Sequence, residues 1–185
     1  NCHKWLLSPK GAAFLWARRD VQELLQPLVV SWGWRSDNPG ESRFVDEQEW
    51  TGTRDPAACL AVPAALAFRK AHDWRLQQRR CHGLVRLVRA QIARLTSLPH
   101  ICPGDDRWYA QMLAMPLPAC DPRRLQRELR KQHRIEIPVL TWGDRQYLRI
   151  SVQGYNSRGD AEALVRAMSD LLKDGAIFGA RRSDR

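Results

Sequence analysis

The order of the elements predicted between residues 111 and 172 constrains the fold of this chain more than any other feature. Three apolar runs are typical of strands, at residues 111–117, 135–140 and 146–152. A helix that Asp121-Pro122 opens and that runs to about His133 separates the first two. Ser157 caps a last helix with one apolar stripe, formed by Ala161, Leu164, Val165, Met168, Leu171 and Leu172. This order predicts a compact α/β domain whose sheet is buried under helices on one face.

The preceding residues show weaker periodicity. Short apolar runs at 11–17 and 28–30 are typical of strands, and residues 21–25 fit one or two helical turns before Pro27. Residues 32–50 form a long polar stretch, which we interpret as a loop because Asn38-Pro39-Gly40 is a turn signature.

Two helices are predicted in the middle of the chain. Ala57 to His72 is rich in Ala and Leu around most of its surface, so we expect this helix to be buried. Residues 75–95 carry one apolar stripe, typical of an amphipathic helix that joins two bodies. We therefore divide the chain into residues 1–74, a second domain at 75–175 and a frayed tail at 176–185.

Charge and cysteine content exclude several classes of partner. The net charge of +10 would suggest nucleic acid, but the basic helix at 69–95 lacks interleaved aromatic residues that stack on bases. Five cysteines without a CxxC pair predict reduced thiols in the cytoplasm and no metal site. The longest near-apolar run, Ala57 to Phe68, is too short for a bilayer and contains Pro63, so we expect no membrane partner.

Lys4 is the first candidate site residue. It follows His3 in a turn bounded by Pro9 and Gly11, ahead of an apolar run, which suits a lysine that forms a Schiff base. The alternative is one of many surface lysines. Because sites need walls on several sides, a site residue at position 4 predicts that the chain is the C-terminal part of a longer enzyme.

Two further positions are candidate anion-binding sites. Gly52-Thr53 precedes the helix start at Asp55-Pro56, where free N–H groups favour negative charge, although Asp55 or Thr53 could simply cap the helix. In the strand at 146–152, alternation places Arg149 on the face opposite Leu148 and Ile150. A guanidinium there could hold a carboxylate through two parallel hydrogen bonds or could face solvent.

The string His3-Lys4-Trp5-Leu6, then Pro9-Lys10-Gly11, resembles the lysine loop of class V pyridoxal-phosphate enzymes, specifically isopenicillin N epimerase-like proteins. The resemblance implies an aspartate-aminotransferase-type (fold type I) α/β fold, with the end of the large cofactor domain at 1–74 and the whole small domain at 75–175. It implies that Lys4 carries pyridoxal 5'-phosphate, that His3 lies in the cofactor region, and that Gly52-Thr53 reaches the cofactor phosphate of the neighbouring subunit. The resemblance therefore also implies that the whole enzyme is a homodimer.

The same resemblance implies that Arg149 holds the α-carboxylate of an amino-acid or peptide-like substrate, with Asn156 in the same motif. We therefore predict an enzyme that acts at the α-carbon, most similar to an epimerase, whose second acid or base is unidentified. The 185 residues alone are expected to be inactive, because the partners of the pyridine ring would precede residue 1.

Two alternatives remain open. A carbon–sulfur lyase or cysteine desulfurase would use the same Schiff base, although Cys102 and Cys120 lack the motif of a desulfurase nucleophile. A noncatalytic remnant is the alternative outside enzyme chemistry.

Overall fold

The computed structural model describes residues 1–179, which divide into two compact units, Asn1–His72 and Asp73 onward. The first unit contains α1 (Cys2–Trp5), a 3₁₀ helix (Arg19–Leu24), α2 (Arg43–Glu49), α3 (Ala57–Leu60) and α4 (Val62–Ala71). The second contains α5 (Trp74–Thr96), β1 (Met112–Leu117), α6 (Pro122–His133), β2 (Val139–Trp142), β3 (Arg145–Ser151) and α7 (Arg158–Asp174). The division falls between His72 and Asp73.

The second unit is a three-stranded antiparallel sheet covered by helices. Strand order is β1-β3-β2, and the register places Met115 opposite Leu148 and Leu113 opposite Ile150. These apolar side chains point to one face, where they join buried residues of all three helices: Val85, Val88, Ile92, Leu125, Leu129, Leu164 and Met168. Each such side chain contributes about 1.5–3 kcal/mol when fully buried, so this core is the main source of stability.

Side-chain caps set the starts of α6 and α7. The Asp121 carboxylate accepts hydrogen bonds from the backbone N–H groups of Arg123 and Arg124, and Pro122 occupies the first helical turn. At α7, Ser157 and Asp160 form a reciprocal capping box. Both helices therefore begin where the sequence predicted.

The strand and tail predictions of the second unit need two corrections. β2 begins at Val139 rather than residue 135, because Pro138 has no N–H to continue the pairing with β3. The tail prediction is wrong for residues 176–179, since Ile177 is buried and the Gly179 N–H donates to the Ala119 carbonyl. Residues 180–185 of the predicted tail lie outside the described residues.

Several predictions for the first unit are wrong. Residues 11–17 and 28–30 form no strand among the described residues, and Leu28 is fully exposed. The run at 28–30 is only three residues long and has no neighbouring strand to pair with among the described residues of the first unit, so it does not form β-structure. Part of the predicted loop at 32–50 is helical, because Ser42 caps α2 by accepting from the Val45 N–H.

The predicted helix at 57–72 is two helices, and most of it is exposed. The break falls at Ala61, because Pro63 cannot donate the backbone hydrogen bond that would continue α3 and instead occupies the first turn of α4. Ala65 is buried, whereas Leu60, Leu66 and Phe68 are exposed. The expectation of burial is therefore wrong within the described residues.

Candidate functional site

Lys4 lies on a single helical turn that backbone hydrogen bonds anchor at both ends. The Cys2 N–H donates to the Ala12 carbonyl at 3.0 Å, and the Ser8 N–H donates to the Cys2 carbonyl at 3.2 Å. Gly11 has a φ of 115°, and a Cβ added there would lie 3.0 Å from the Cβ of Ala58. The segment that follows Lys4 is therefore packed closely against α3.

The side chains around this turn differ in accessibility. Lys4 is exposed and takes part in no ion pair among the described residues. His3 Nδ1 and Ser8 Oγ are buried without a hydrogen-bond partner in the structure. The turn thus presents a free primary amine on a fixed backbone.

Gly52 and Thr53 lie in the bend before α3. Gly52 has a φ of 98°, a conformation that favours glycine. Asp55 Oδ1 accepts the Ala57 N–H at 2.8 Å, which is a local turn contact, because the N-cap of α3 is Pro56. The Thr53 side chain is exposed, and neither Thr53 nor Asp55 is the capping residue of α3.

In the second unit, Arg149 and Asn156 line the same open groove. Its volume is about 150 Å³, and its walls come from α5, β3, the start of α7 and residues 135–138. The Arg149 backbone N–H donates to the Pro138 carbonyl at 3.0 Å. Residues 135–138, which precede β2, line the groove next to β3. Arg149 is exposed and makes no ion pair among the described residues. The alternation along β3 puts its side chain on the face opposite the buried Leu148 and Ile150.

The groove also contains carboxylates, which the sequence analysis did not single out. Glu136 and Asp160 line it with Arg149. The Ser157 N–H, which donates to Asp160 Oδ2 at 2.8 Å, is the main cause of an Asp160 pKa below its usual value. Asp160 therefore stays ionised at neutral pH and serves the cap of α7.

Two buried glutamines beside the groove were also missed. Gln111 precedes β1 and Gln153 follows β3, and their side chains hydrogen-bond each other at 3.4 Å. The signal in the sequence was slight: each is a polar residue at the end of an apolar run. Only the pairing of β1 with β3 brings them together.

The cysteines of the second unit differ as possible nucleophiles. Burial raises the pKa of the Cys120 thiol to about 11, and burial also raises the pKa of Cys81. Cys102 is partly exposed, and Arg89 donates to its carbonyl oxygen at 2.8 Å. Neither Cys81 nor Cys120 has the thiolate character of a reactive cysteine.

The structure groups the predicted site residues by unit. Lys4, His3, Gly52 and Thr53 belong to the first unit, whereas Arg149 and Asn156 belong to the second. Within residues 1–179, no cluster of three or more His, Cys, Asp or Glu side chains is arranged to hold a metal ion. Over the same residues, no helix has both the length and the apolar character needed to cross a membrane.

The architecture is that of the fold type I class of pyridoxal-phosphate proteins. The chain superimposes on the cysteine desulfurase CsdA from Escherichia coli with a TM-score of 0.68 at 19% identity, over 91% of this chain and 44% of that chain. It also matches 8-amino-7-oxononanoate synthase from Francisella tularensis with a TM-score of 0.50 at 14% identity, over 73% and 39% of the two chains. At these identities the likeness shows the fold alone.

Sequence comparison adds relatives that are similar over most of this chain. The chain is 33% identical to isopenicillin N epimerase of Amycolatopsis lactamdurans in an alignment 181 residues long, which covers 92% of this chain and 46% of that protein. It is 32% identical to a probable chloroplastic L-cysteine desulfhydrase of Arabidopsis thaliana, over 95% of this chain and 39% of that protein. The chain therefore has a class V aminotransferase-like fold and is similar to these relatives over most of its own length.

The chain spans less than half the length of these relatives. No model of a protein family matches the sequence.

The residues present fit the cofactor that this family implies. An aldehyde cofactor needs an accessible primary amine, and Lys4 supplies one that no ion pair occupies among the described residues. Lys4 would hold pyridoxal 5'-phosphate covalently. When bound, this cofactor withdraws electrons from the α-carbon of an amino acid.

Proposed function

We propose that the whole protein is a pyridoxal-phosphate-dependent enzyme that acts at the α-carbon of an amino-acid or peptide-like substrate, in the manner of an epimerase. The observation that carries this proposal is the exposed, anchored Lys4 in a chain 33% identical to isopenicillin N epimerase. Residues 1–74 would be the end of the large domain, and residues 75–175 the small domain. We expect the 185 residues alone to be inactive.

Each predicted site residue has a distinct role in this proposal. Lys4 Nζ holds the cofactor and, once released, moves the α-proton of the substrate. His3 lies beside it in the cofactor region. Gly52 and Thr53 bind the cofactor phosphate of a second subunit, so the enzyme is a homodimer, which we place in the cytoplasm. Arg149 binds the substrate carboxylate through its two parallel N–H donors.

A carbon–sulfur lyase is the second candidate, because several relatives are named L-cysteine desulfhydrase at 29–32% identity. Such a lyase would use Lys4 and Arg149 in the same way and needs no catalytic cysteine. A desulfurase needs a reactive thiol, and the raised pKa of Cys120 argues against that residue. A noncatalytic remnant would carry the fold without binding the cofactor.

The decisive experiment is to reduce the whole protein with borohydride in the presence of pyridoxal 5'-phosphate and to map the pyridoxyl group by peptide mass spectrometry. We expect the label on the peptide containing Lys4, and its loss in Lys4→Arg. The matched control is Lys10→Arg, because Lys10 is an exposed lysine of the same segment. Label on another lysine, or none, would contradict the proposed function.

A second measurement separates the two reaction classes. With L-cysteine as the probe, a lyase consumes water and releases sulfide, pyruvate and ammonia. An epimerase releases none of these and exchanges the α-proton of its own substrate with solvent deuterium. Sulfide release that depends on Lys4 would contradict the proposed epimerase activity and support the lyase activity.

A further inference from the structure

Helices cover only one face of the sheet in the second unit. The buried side chains of α5, α6 and α7 all join the core face, which carries Leu113, Met115, Leu148 and Ile150. Because successive strand residues point to opposite faces, the strand pairing brings a second set of residues together on the opposite face. This set includes Ala114 and Pro116 of β1, Leu140 and Trp142 of β2, and Tyr147 and Arg149 of β3. We call this surface the bare face, since the three helices pack on the other one.

An apolar patch crosses the middle of the bare face. Tyr147 is half-buried, and the register places Pro116 of β1 and Leu140 of β2 directly opposite it. Directly opposite Cβ atoms in an antiparallel sheet are about 4.5–5.5 Å apart, so apolar side chains flank Tyr147 on both sides. Leu140 is exposed, as is Trp142 two residues further along β2. Within the second unit, the patch therefore presents aromatic and aliphatic surface to solvent.

Arg149 lies beside this patch, next to a small neighbour. It follows Tyr147 by two residues on β3, a separation of about 7 Å along the strand. Its partner on β1 is Ala114, whose side chain is a single methyl group, and β2 begins only at Val139, opposite Leu148. Among the described strand residues, only this methyl group lies directly across the sheet from the Arg149 side chain.

The charge of the bare face is positive. The strands place Arg145 and Arg149 on it, and neither makes an ion pair among the described residues. The three strands contain no Asp or Glu. A guanidinium without a carboxylate partner attracts an anion, and its planar donors suit a carboxylate. The ligand that fits this face has a carboxylate next to an apolar group, as does an amino acid with an apolar side chain.

We propose that the bare face binds the substrate and that Tyr147 selects the substrate's side chain. Arg149 holds the carboxylate, and the Tyr147 ring, flanked by Pro116 and Leu140, contacts an apolar or aromatic side chain. The proposal rests on the proposed function for the role of Arg149, and it adds the class of amino acid. An aromatic ring offers a large contact area, and neighbours that already restrain it reduce the entropy lost on binding.

The test measures how the whole protein binds two carboxylates, acetate and hydrocinnamate. Neither has an amine, so neither reacts as a substrate, and only hydrocinnamate carries a phenyl group. Ligand-observed NMR gives both dissociation constants. Their ratio reports the apolar contact, whereas the acetate constant alone reports the site of the carboxylate.

Four variants separate the contributions to binding. Tyr147→Thr removes the ring and keeps a residue that favours strands, whereas Tyr147→Phe keeps the ring. Tyr155→Ala is the matched control, because Tyr155 is an exposed tyrosine that follows β3. Arg149→Ala removes the group that binds the carboxylate.

We expect the unaltered protein to bind hydrocinnamate about 3- to 10-fold more tightly than acetate, which is the range that one aromatic contact supplies. Tyr147→Thr should abolish this difference and leave acetate binding unchanged, whereas Tyr147→Phe and Tyr155→Ala should retain the difference. Arg149→Ala should weaken the binding of both ligands.

Three results would overturn the proposal. The first is a difference between the two ligands that persists in Tyr147→Thr or is also lost in Tyr155→Ala. The second is a loss of acetate binding in Tyr147→Thr, which would give the ring a structural role in place of a selective one. The third is unchanged binding of both ligands in Arg149→Ala.

The binding measurements also separate this proposal from the proposed function, since the two ligands do not react with the cofactor. If binding behaves as expected but borohydride labels no Lys4 peptide, the bare face stands as a carboxylate-binding surface and the enzymatic role falls. If Lys4 is labelled and Tyr147→Thr has no effect on the ratio, the selective role of Tyr147 falls alone.

Discussion

At the scale of single residues, Arg149 is the one arginine among the residues that line the groove of the second unit. Arg149 is exposed on β3 beside Glu136 and Asp160, and the Asp160 carboxylate is occupied by its own helix cap. An isolated strand arginine would ordinarily be interpreted as a solvated surface residue. Because Arg149 makes no ion pair among the described residues, its guanidinium is available to a ligand.

We predict that Arg149→Ala in the whole protein raises the KM for the amino-acid substrate strongly. The loss should be on the order of 2–5 kcal/mol if the charge pair is buried, in part because the substrate carboxylate is left unpaired. Arg149→Lys keeps the charge without the two parallel donors and should recover part of the loss. The pyridoxyl label on Lys4 should persist in both variants. Unchanged steady-state kinetics in Arg149→Ala would exclude the carboxylate role.

A second residue-scale prediction concerns Gly33. A Cβ at this position would lie 1.9 Å from the backbone oxygen of Asp46, so Gly33→Ala must displace the main chain of α2. We expect a loss of about 1–3 kcal/mol in the free energy of unfolding, measured with urea. Gly83→Ala is the matched control: it lies in α5 with nothing within 4 Å, and should stabilise by about 0.5–1 kcal/mol. Equal effects of the two changes would contradict this packing argument.

At the scale of secondary-structure elements, carboxylates define where the helices of the second unit begin. Hydrogen bonds from the backbone N–H groups of Arg124 and Arg123 hold the pKa of Asp121 below its usual value. The capping carboxylate of Asp160 is shifted in the same direction. The helix starts are therefore sensitive to acid.

We predict that stability falls as the pH drops below about 4, the ordinary range of an aspartate. A carboxyl group whose folded pKa is lowered stabilises the fold above its unfolded pKa, and this contribution is lost as the pH falls through the folded pKa. Asp121→Asn retains a good cap and should reduce the acid dependence with little change at pH 7. Urea titrations between pH 3 and 7 measure both effects. An unaltered pH profile in Asp121→Asn would show that the α6 cap carries none of the dependence.

At the scale of the whole molecule, the proposed active site draws on two chains. Lys4 would come from one subunit and Thr53 from its partner. We predict that mixing whole-protein Lys4→Ala with Thr53→Ala gives heterodimers with one site that carries both defects and one that carries neither. Activity should then partly return, provided that Thr53→Ala alone is severely impaired. Activity assays after demonstrated subunit exchange test this. No recovery would mean that Thr53 serves its own chain's site or has only a structural role at the start of its helix.

The candidate site was only partly predictable from the sequence. Alternation along β3 indicated the face of Arg149, and the structure places Arg149 and Asn156 on one groove. Gln111 and Gln153 could not be predicted as partners, because they lie 42 residues apart and meet only through strand pairing. The resemblance of the His3-Lys4 string, rather than any local physical pattern, directed attention to Lys4.

The sequence by itself determined the helices and strands of the second unit, because their signals are local. Asp121-Pro122 and Ser157 with Asp160 satisfy the first N–H groups of their own helices, and the alternation of β3 separates a buried face from an exposed one within seven residues. Only the tertiary structure decided the strand order β1-β3-β2 and the exposure of the apolar residues at 14–16 and in α4. Apolar side chains favour transfer out of water, but their burial requires another surface to pack against, and no local sequence pattern specifies that surface.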